Sequence, residues 1–70
     1  MSTPIRITLN GASRELPAPL SFAQLLEELA LAGRRIAIER NGEIVPRSRF
    51  GESLLADGDR VEVVVAVGGG

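Results

Sequence analysis

The chain contains no cysteine and no histidine. Disulfides are therefore excluded, as are thiolate and imidazole metal ligands. Nucleophilic cysteine chemistry and histidine acid–base catalysis go with them. A secreted domain of this size is usually stapled by disulfides, so their absence points to a reducing, cytoplasmic setting. Tryptophan and tyrosine are missing too, and two phenylalanines are the only aromatic residues. Lysine is absent as well: all eight basic residues are arginine. No side chain here can therefore accept an isopeptide bond from another carrier.

No charge of one sign dominates. Eight basic and nine acidic residues leave a formal net charge of −1. That is no electrostatic footprint for nucleic acid or an anionic membrane surface. No apolar run approaches the roughly 20 residues of a membrane-spanning helix, and Met1–Pro4 lacks the charged-then-apolar order of a signal peptide. With 70 residues, one small domain is expected, with a modest core. Little room is left for a ligand pocket of the usual roughly 300–1,000 Å³. These limits argue against a self-sufficient enzyme, and a monomer with no cofactor of its own is expected.

What remains is a regular alternation of strand and turn signals. Ile5, Ile7 and Leu9 alternate with Arg6 and Thr8, the period of a half-buried strand. Asn10-Gly11 marks a hairpin turn, and a return strand over Ser13–Leu16 is stopped by Pro17 and Pro19. Ser21 and Gln24 have capping-box spacing, and Phe22, Leu25, Leu26 and Leu29 form an apolar stripe at helical spacing. Gly33 is placed to end that helix as a left-handed C′ residue, with Arg34 and Arg35 near its negative end. Ile36–Arg40 and Glu43–Val45 read as a second strand pair around Asn41-Gly42, closed by Pro46. Arg47–Leu55 is irregular, with one helical turn near Ser48–Gly51, and Asp57-Gly58-Asp59 is a turn. Two carboxylates there fall short of a calcium loop.

Arg60–Val67 is the most apolar strand. Val61, Val63, Val65 and Val67 share one face, and Glu62, Val64 and Ala66 share the other. Being apolar on both sides, it belongs inside the sheet rather than at an edge. The order β, β, α, β, β, β, with one helix to cover one sheet face, is that of an α+β domain of the β-grasp, or ubiquitin-like, type. A mixed sheet of four to five strands is expected. The domain is expected to occupy residues 1–67, with Gly68, Gly69 and Gly70 as a flexible tail.

Three glycines beyond a strand fit any frayed terminus. They also fit a carrier whose end must enter a partner enzyme. A chain without Cβ atoms passes a channel that side chains would block, and glycine adopts the backbone angles the channel imposes. A terminal carboxyl has a reference pKa of about 3.3–3.7, so it is anionic at neutral pH without a local base. On this reading Gly70 carries the reacting carboxylate, and Gly68 and Gly69 are its lead. The face with Glu62, Val64 and Ala66 is a candidate partner surface. The plainer reading is a strand rich in β-branched residues. A phase change of one residue would exchange the two faces.

At this point the chain resembles the ThiS family of sulfur carriers in thiamin biosynthesis. Three segments carry the resemblance: Ile38-Glu39-Arg40-Asn41-Gly42-Glu43-Ile44-Val45-Pro46-Arg47, Leu55-Ala56-Asp57-Gly58-Asp59-Arg60-Val61-Glu62, and Val65-Ala66-Val67-Gly68-Gly69-Gly70. The resemblance implies that a ThiF-type enzyme uses MgATP to adenylate the Gly70 carboxylate. It implies that sulfur from a persulfide donor then forms a thiocarboxylate, which donates its sulfur on a ThiG-type thiazole synthase. Rival readings are a MoaD-like carrier for molybdopterin synthesis, a β-grasp interaction module with an inert tail, and a modifier joined to lysines through Gly70.

Overall fold

The two Asn-Gly pairs set the architecture. In the computed structural model, which describes residues 3–66, Asn10 and Gly11 have φ of 49° and 84°, and Asn41 and Gly42 have 51° and 86°. Two successive left-handed residues make the turn whose twist matches paired strands. The first joins β1 (Ile5–Leu9) to β2 (Ala12–Leu16), and the second joins β3 (Ile36–Arg40) to β4 (Glu43–Val45). The final strand, β5 (Arg60–Val65), enters between the two hairpins. The sheet order is β2-β1-β5-β3-β4, with β5 parallel to β1 and antiparallel to β3. The expected mixed sheet thus has five strands, and the most apolar strand is the central one. The outer strands are blunted: β2 is exposed except at Leu16, and β4 has three residues before Pro46.

The single helix, α1 (Phe22–Glu28), starts at a full capping box. The Ser21 hydroxyl accepts from the Gln24 amide at 3.1 Å, and the Gln24 side chain accepts from the Ser21 amide at 2.9 Å. Phe22, Leu25 and Leu26 are buried against the inward residues of the sheet: Ile5, Ile7, Leu16, Ile38, Val61 and Val63. Phe50 and Leu55, from the segment between β4 and β5, close one side of this core. The Phe22 and Phe50 rings lie 6.4 Å apart in a tilted pair, and the Arg40 guanidinium sits 5.6 Å above Phe22.

The helix is shorter than its sequence suggests. It ends at Glu28, with Leu29 as C-cap, and the left-handed C′ position is taken by Ala30 at φ 60° rather than by Gly33. The Ala30 amide donates to the Glu27 carbonyl at 3.0 Å, and the Leu31 amide donates to the Leu26 carbonyl at 2.8 Å. That is the Schellman pattern, which needs the left-handed conformation but not glycine itself. Gly33 has positive φ in the following turn. Arg34 and Arg35 therefore lie beyond the helix, and its last turn has no basic residue. Smaller differences occur elsewhere. The helical turn after β4 is a 3₁₀ turn at Arg47–Arg49, β2 begins at Ala12, and β5 ends at Val65. Val67 and the tail Gly68–Gly70 lie outside the described residues, and with them the expected tail boundary.

Candidate functional site

The strand that leads to the glycines is held at its start and near its middle by asparagine side chains. The Asn10 amide group pairs with the Val63 backbone in both directions: its Oδ1 accepts from the Val63 N–H at 2.8 Å, and its Nδ2 donates to the Val63 carbonyl at 3.2 Å. The turn residue thus extends the pairing of β1 with β5 beyond the backbone bond from the Asn10 N–H to the Val61 carbonyl, 2.9 Å. Asn41 does the same near the start of β5. Its N–H donates to the Arg60 carbonyl at 2.7 Å, and its Oδ1 accepts from the Arg60 N–H at 2.9 Å. Past β5, the Ala66 N–H donates to the Arg35 carbonyl at 2.9 Å.

Asp59 is the hub below this strand. Its Oδ2 accepts from the Ala56 N–H at 2.9 Å and from Arg40 Nε at 2.9 Å, and lies 2.8 Å from Arg40 Nη2. Its Oδ1 accepts from Asn41 Nδ2 at 3.1 Å. Burial pushes this carboxyl up, but the bonds from Ala56, Asn41 and Arg40, with the Arg40 charge, outweigh it and hold it below the ordinary carboxylate value. Asp57 caps the other side of the turn, accepting from the Arg6 N–H at 2.8 Å. The Asp57-Gly58-Asp59 group is thus a fully bonded turn that orients the entry to β5. Among the described residues no group of acidic side chains is arranged to hold a metal ion.

The sheet face opposite the helix is open. Val61 and Val63 are buried against the helix side, and Glu62, Val64 and Ala66 are exposed. The phase expected for β5 is therefore the one adopted. Val65, expected inward with them, is only half-buried. Registration across the strands adds residues that period-two reading of β5 alone does not supply. Val64 lies opposite Ala37, and Glu62 lies opposite Glu39, which in turn faces Ile44. Val64 is 59% exposed and Ile44 is 66% exposed. The face thus combines two large apolar side chains with two carboxylates, next to the strand that runs toward Gly68–Gly70. Neither Ile44 nor Glu39 stands out in the sequence, because their place on this face depends on how β3 pairs with β4 and β5. Asn10 and Asn41 read there only as turn formers. Among the described residues no helix is long and apolar enough to cross a membrane.

Known proteins resemble this chain in sequence and fold. The ThiS family model matches residues 7–70. The crystal structure of the thiamine biosynthesis protein ThiS from Geobacter metallireducens superposes with a TM-score of 0.79 at 32% identity, covering 94% of this chain and all of that one (100%). The sulfur carrier protein ThiS of Bacillus subtilis is 41% identical over 50 residues, 71% of this chain and 76% of that protein. A thiazole synthase of Paramagnetospirillum magneticum is 39% identical over 66 residues. Those residues are 94% of this chain but only 20% of the synthase, so the chain corresponds to a fifth of that longer protein. A family match over nearly the whole chain and a superposition above 30% identity lead to one assignment: this chain belongs to the ThiS family.

Proposed function

We propose that this protein is a sulfur carrier of thiamin biosynthesis, a substrate handed between enzymes rather than a catalyst. The observation that carries the reading is the ThiS-family match running through residue 70, with the central strand ending at Val65, three residues before Gly68 in the sequence. In this reading Gly70 carries the reacting carboxylate. Its carboxylate oxygen attacks the α-phosphorus of MgATP on a ThiF-type enzyme, and pyrophosphate leaves. A persulfide sulfur then attacks the acyl carbon and AMP departs. Thiol cleavage of the resulting S–S bond leaves the thiocarboxylate. ATP and metal belong to the partner, and the carrier contributes the anionic end and a shape to grip. Gly68 and Gly69 have no side chains to obstruct a channel, and Gly70 leaves its carbonyl carbon open to attack.

The second partner is a ThiG-type thiazole synthase. Support comes from the longer thiazole synthase, which contains a segment alike over 94% of this chain. The open face with Val64, Ala66 and Glu62 is the surface by which both enzymes hold the domain. The cytoplasm is its compartment, where thiols stay reduced.

Intact mass spectrometry tests the proposal. Incubation with a ThiF-type enzyme, MgATP and a sulfur donor should raise the mass by the difference between sulfur and oxygen. Deleting Gly70 should abolish that gain while leaving the melting temperature unchanged. No gain with an active enzyme refutes the carrier reading, and a gain without Gly70 refutes the site. Which synthase accepts the charged carrier separates thiamin from molybdopterin service.

A further inference from the structure

The open sheet face contains a pairing that works against the free protein. Glu39 and Glu62 occupy directly opposite positions on β3 and β5. Side chains at such positions have Cβ atoms about 4.5–5.5 Å apart, and like charges placed there destabilise a sheet. Among the described residues neither carboxylate belongs to an ion pair, although three such pairs form elsewhere. Arg60 lines the same shallow hollow of about 200 Å³, with Glu39, Gly42 and Glu62, without pairing with either. Arg6, on β1, is paired with Glu15 instead. Ile44 lies across from Glu39 on β4, and Val64 lies two residues beyond Glu62 along β5. An acidic pair beside exposed apolar side chains, bridging β3 and the central strand, is complementary to a protein surface with apolar residues and a cation.

We propose that Glu39 and Glu62 together form a socket for one arginine or lysine of the thiazole synthase, with Ile44 and Val64 seated on apolar residues around it. The inference rests on the carrier reading, and it commits to the synthase because a thiazole synthase carries a segment like this chain within its own length. Between two carboxylates a single cation removes the repulsion and gains two attractions at once. The socket then favours the bound state by relieving the free one. It also rejects an acidic or neutral surface of the same shape, since the carboxylates would then be desolvated without a counter-charge.

Isothermal titration of the cognate thiazole synthase with wild-type carrier, Glu39→Gln, Glu62→Gln and the double variant reads this directly. At about 50 mM salt, where screening is weak, each single variant should bind about three- to fivefold more weakly, the range of an exposed ion pair. The wild-type advantage should collapse near 0.5 M salt, roughly where the screening length falls to contact distance. The double variant's melting temperature should equal or exceed that of wild type, because a repulsion has been removed. Equal affinity of all four proteins, or an advantage that survives high salt, overturns the socket. So does a fall of several degrees in the double variant's melting temperature, which would make the pair structural. So, too, does a loss of affinity for the adenylating enzyme alone. If wild-type carrier is never thiocarboxylated, the carrier reading fails instead. If it is thiocarboxylated but the substitutions change nothing, only the socket fails.

Discussion

Replacing Asp59 by asparagine should cost this domain far more than the loss of one charge suggests. The residue is buried, at 7% exposure, and both side-chain oxygens are occupied. Asparagine can place its oxygen toward Ala56 and Arg40, but its amide nitrogen must then face Asn41 Nδ2. Two donors meet. Asn41 cannot turn over to accept, because its own Oδ1 already accepts from the Arg60 N–H. The variant therefore keeps a bond from Arg40 but loses the ion pair, at about 1 kcal/mol, and leaves a donor unpaired at about 1–3 kcal/mol more. Allowing for relaxation, a loss of about 2–4 kcal/mol is expected, at roughly 4–8 °C of melting temperature per kcal/mol for a domain of this size. Thermal denaturation by circular dichroism measures it. The sharper test is the double variant Asp59→Asn with Asn41→Asp. The new amide nitrogen at 59 then donates to the new carboxylate at 41, which still accepts from Arg60, and aspartate tolerates the left-handed backbone there. The double variant should be more stable than the sum of the two single changes by more than 1 kcal/mol, a coupling typical of bonded neighbours. A single variant within 0.5 kcal/mol of wild type, or strict additivity, would refute the directional bonding argument.

Other outcomes follow from the same geometry. The Asp59 carboxyl is held below its ordinary value of 3.8 in the folded chain. Its contribution is thus complete above that value and lost as pH falls through the depressed one. Asp59→Asn should flatten this acid limb of stability, measured by urea denaturation from neutral pH downward, and an unchanged limb would assign it to other groups. Ala30→Gly should raise the melting temperature. A left-handed alanine costs about 1–2 kcal/mol, against about 0.5–1 kcal/mol for the greater freedom of glycine when unfolded, and a lower melting temperature would contradict the Schellman assignment. Asn10→Gly keeps the turn but removes two bonds to Val63 and should cost about 1–3 kcal/mol. Amide exchange at Val63 should accelerate in that variant, and unchanged protection would show that the clamp is idle.

The sequence is legible where one residue type has one structural use. Asn-Gly between alternating residues admits little besides a tight hairpin, and the period of two in β5 decides which of its residues are buried. The capping box at Ser21 works likewise, since both partners are three residues apart. Legibility fails where the deciding contact is distant or its residue is unmarked. Gly33 looks like the helix stop, yet Ala30 takes that place because Leu29 and Leu31 can then reach the core, where both are partly buried. The clamp of Asn10 on Val63 joins residues 53 apart, and nothing local to either announces it. The candidate surface was half visible for the same reason. Val64, Ala66 and Glu62 follow from the phase of one strand, but Glu39 and Ile44 join them only through the register of two hairpins brought together by β5. The glycines are visible as letters, and their chemistry comes from kinship rather than geometry.

The pairing of β5 alongside β1 gives the domain a mechanical grade. A partner that draws the end of the chain into its interior pulls along the axis of β5. The parallel neighbour on one side and the antiparallel neighbour on the other both resist by sliding, so their hydrogen bonds, which run across the strand, are strained together rather than peeled one at a time. Asn41 and Asn10 add cross-ties at Arg60 and at Val63 of the same strand. On the proposed carrier reading, tension applied at the end of the chain is thus shared between β1 and β3, and the handle stays whole while its tip is worked.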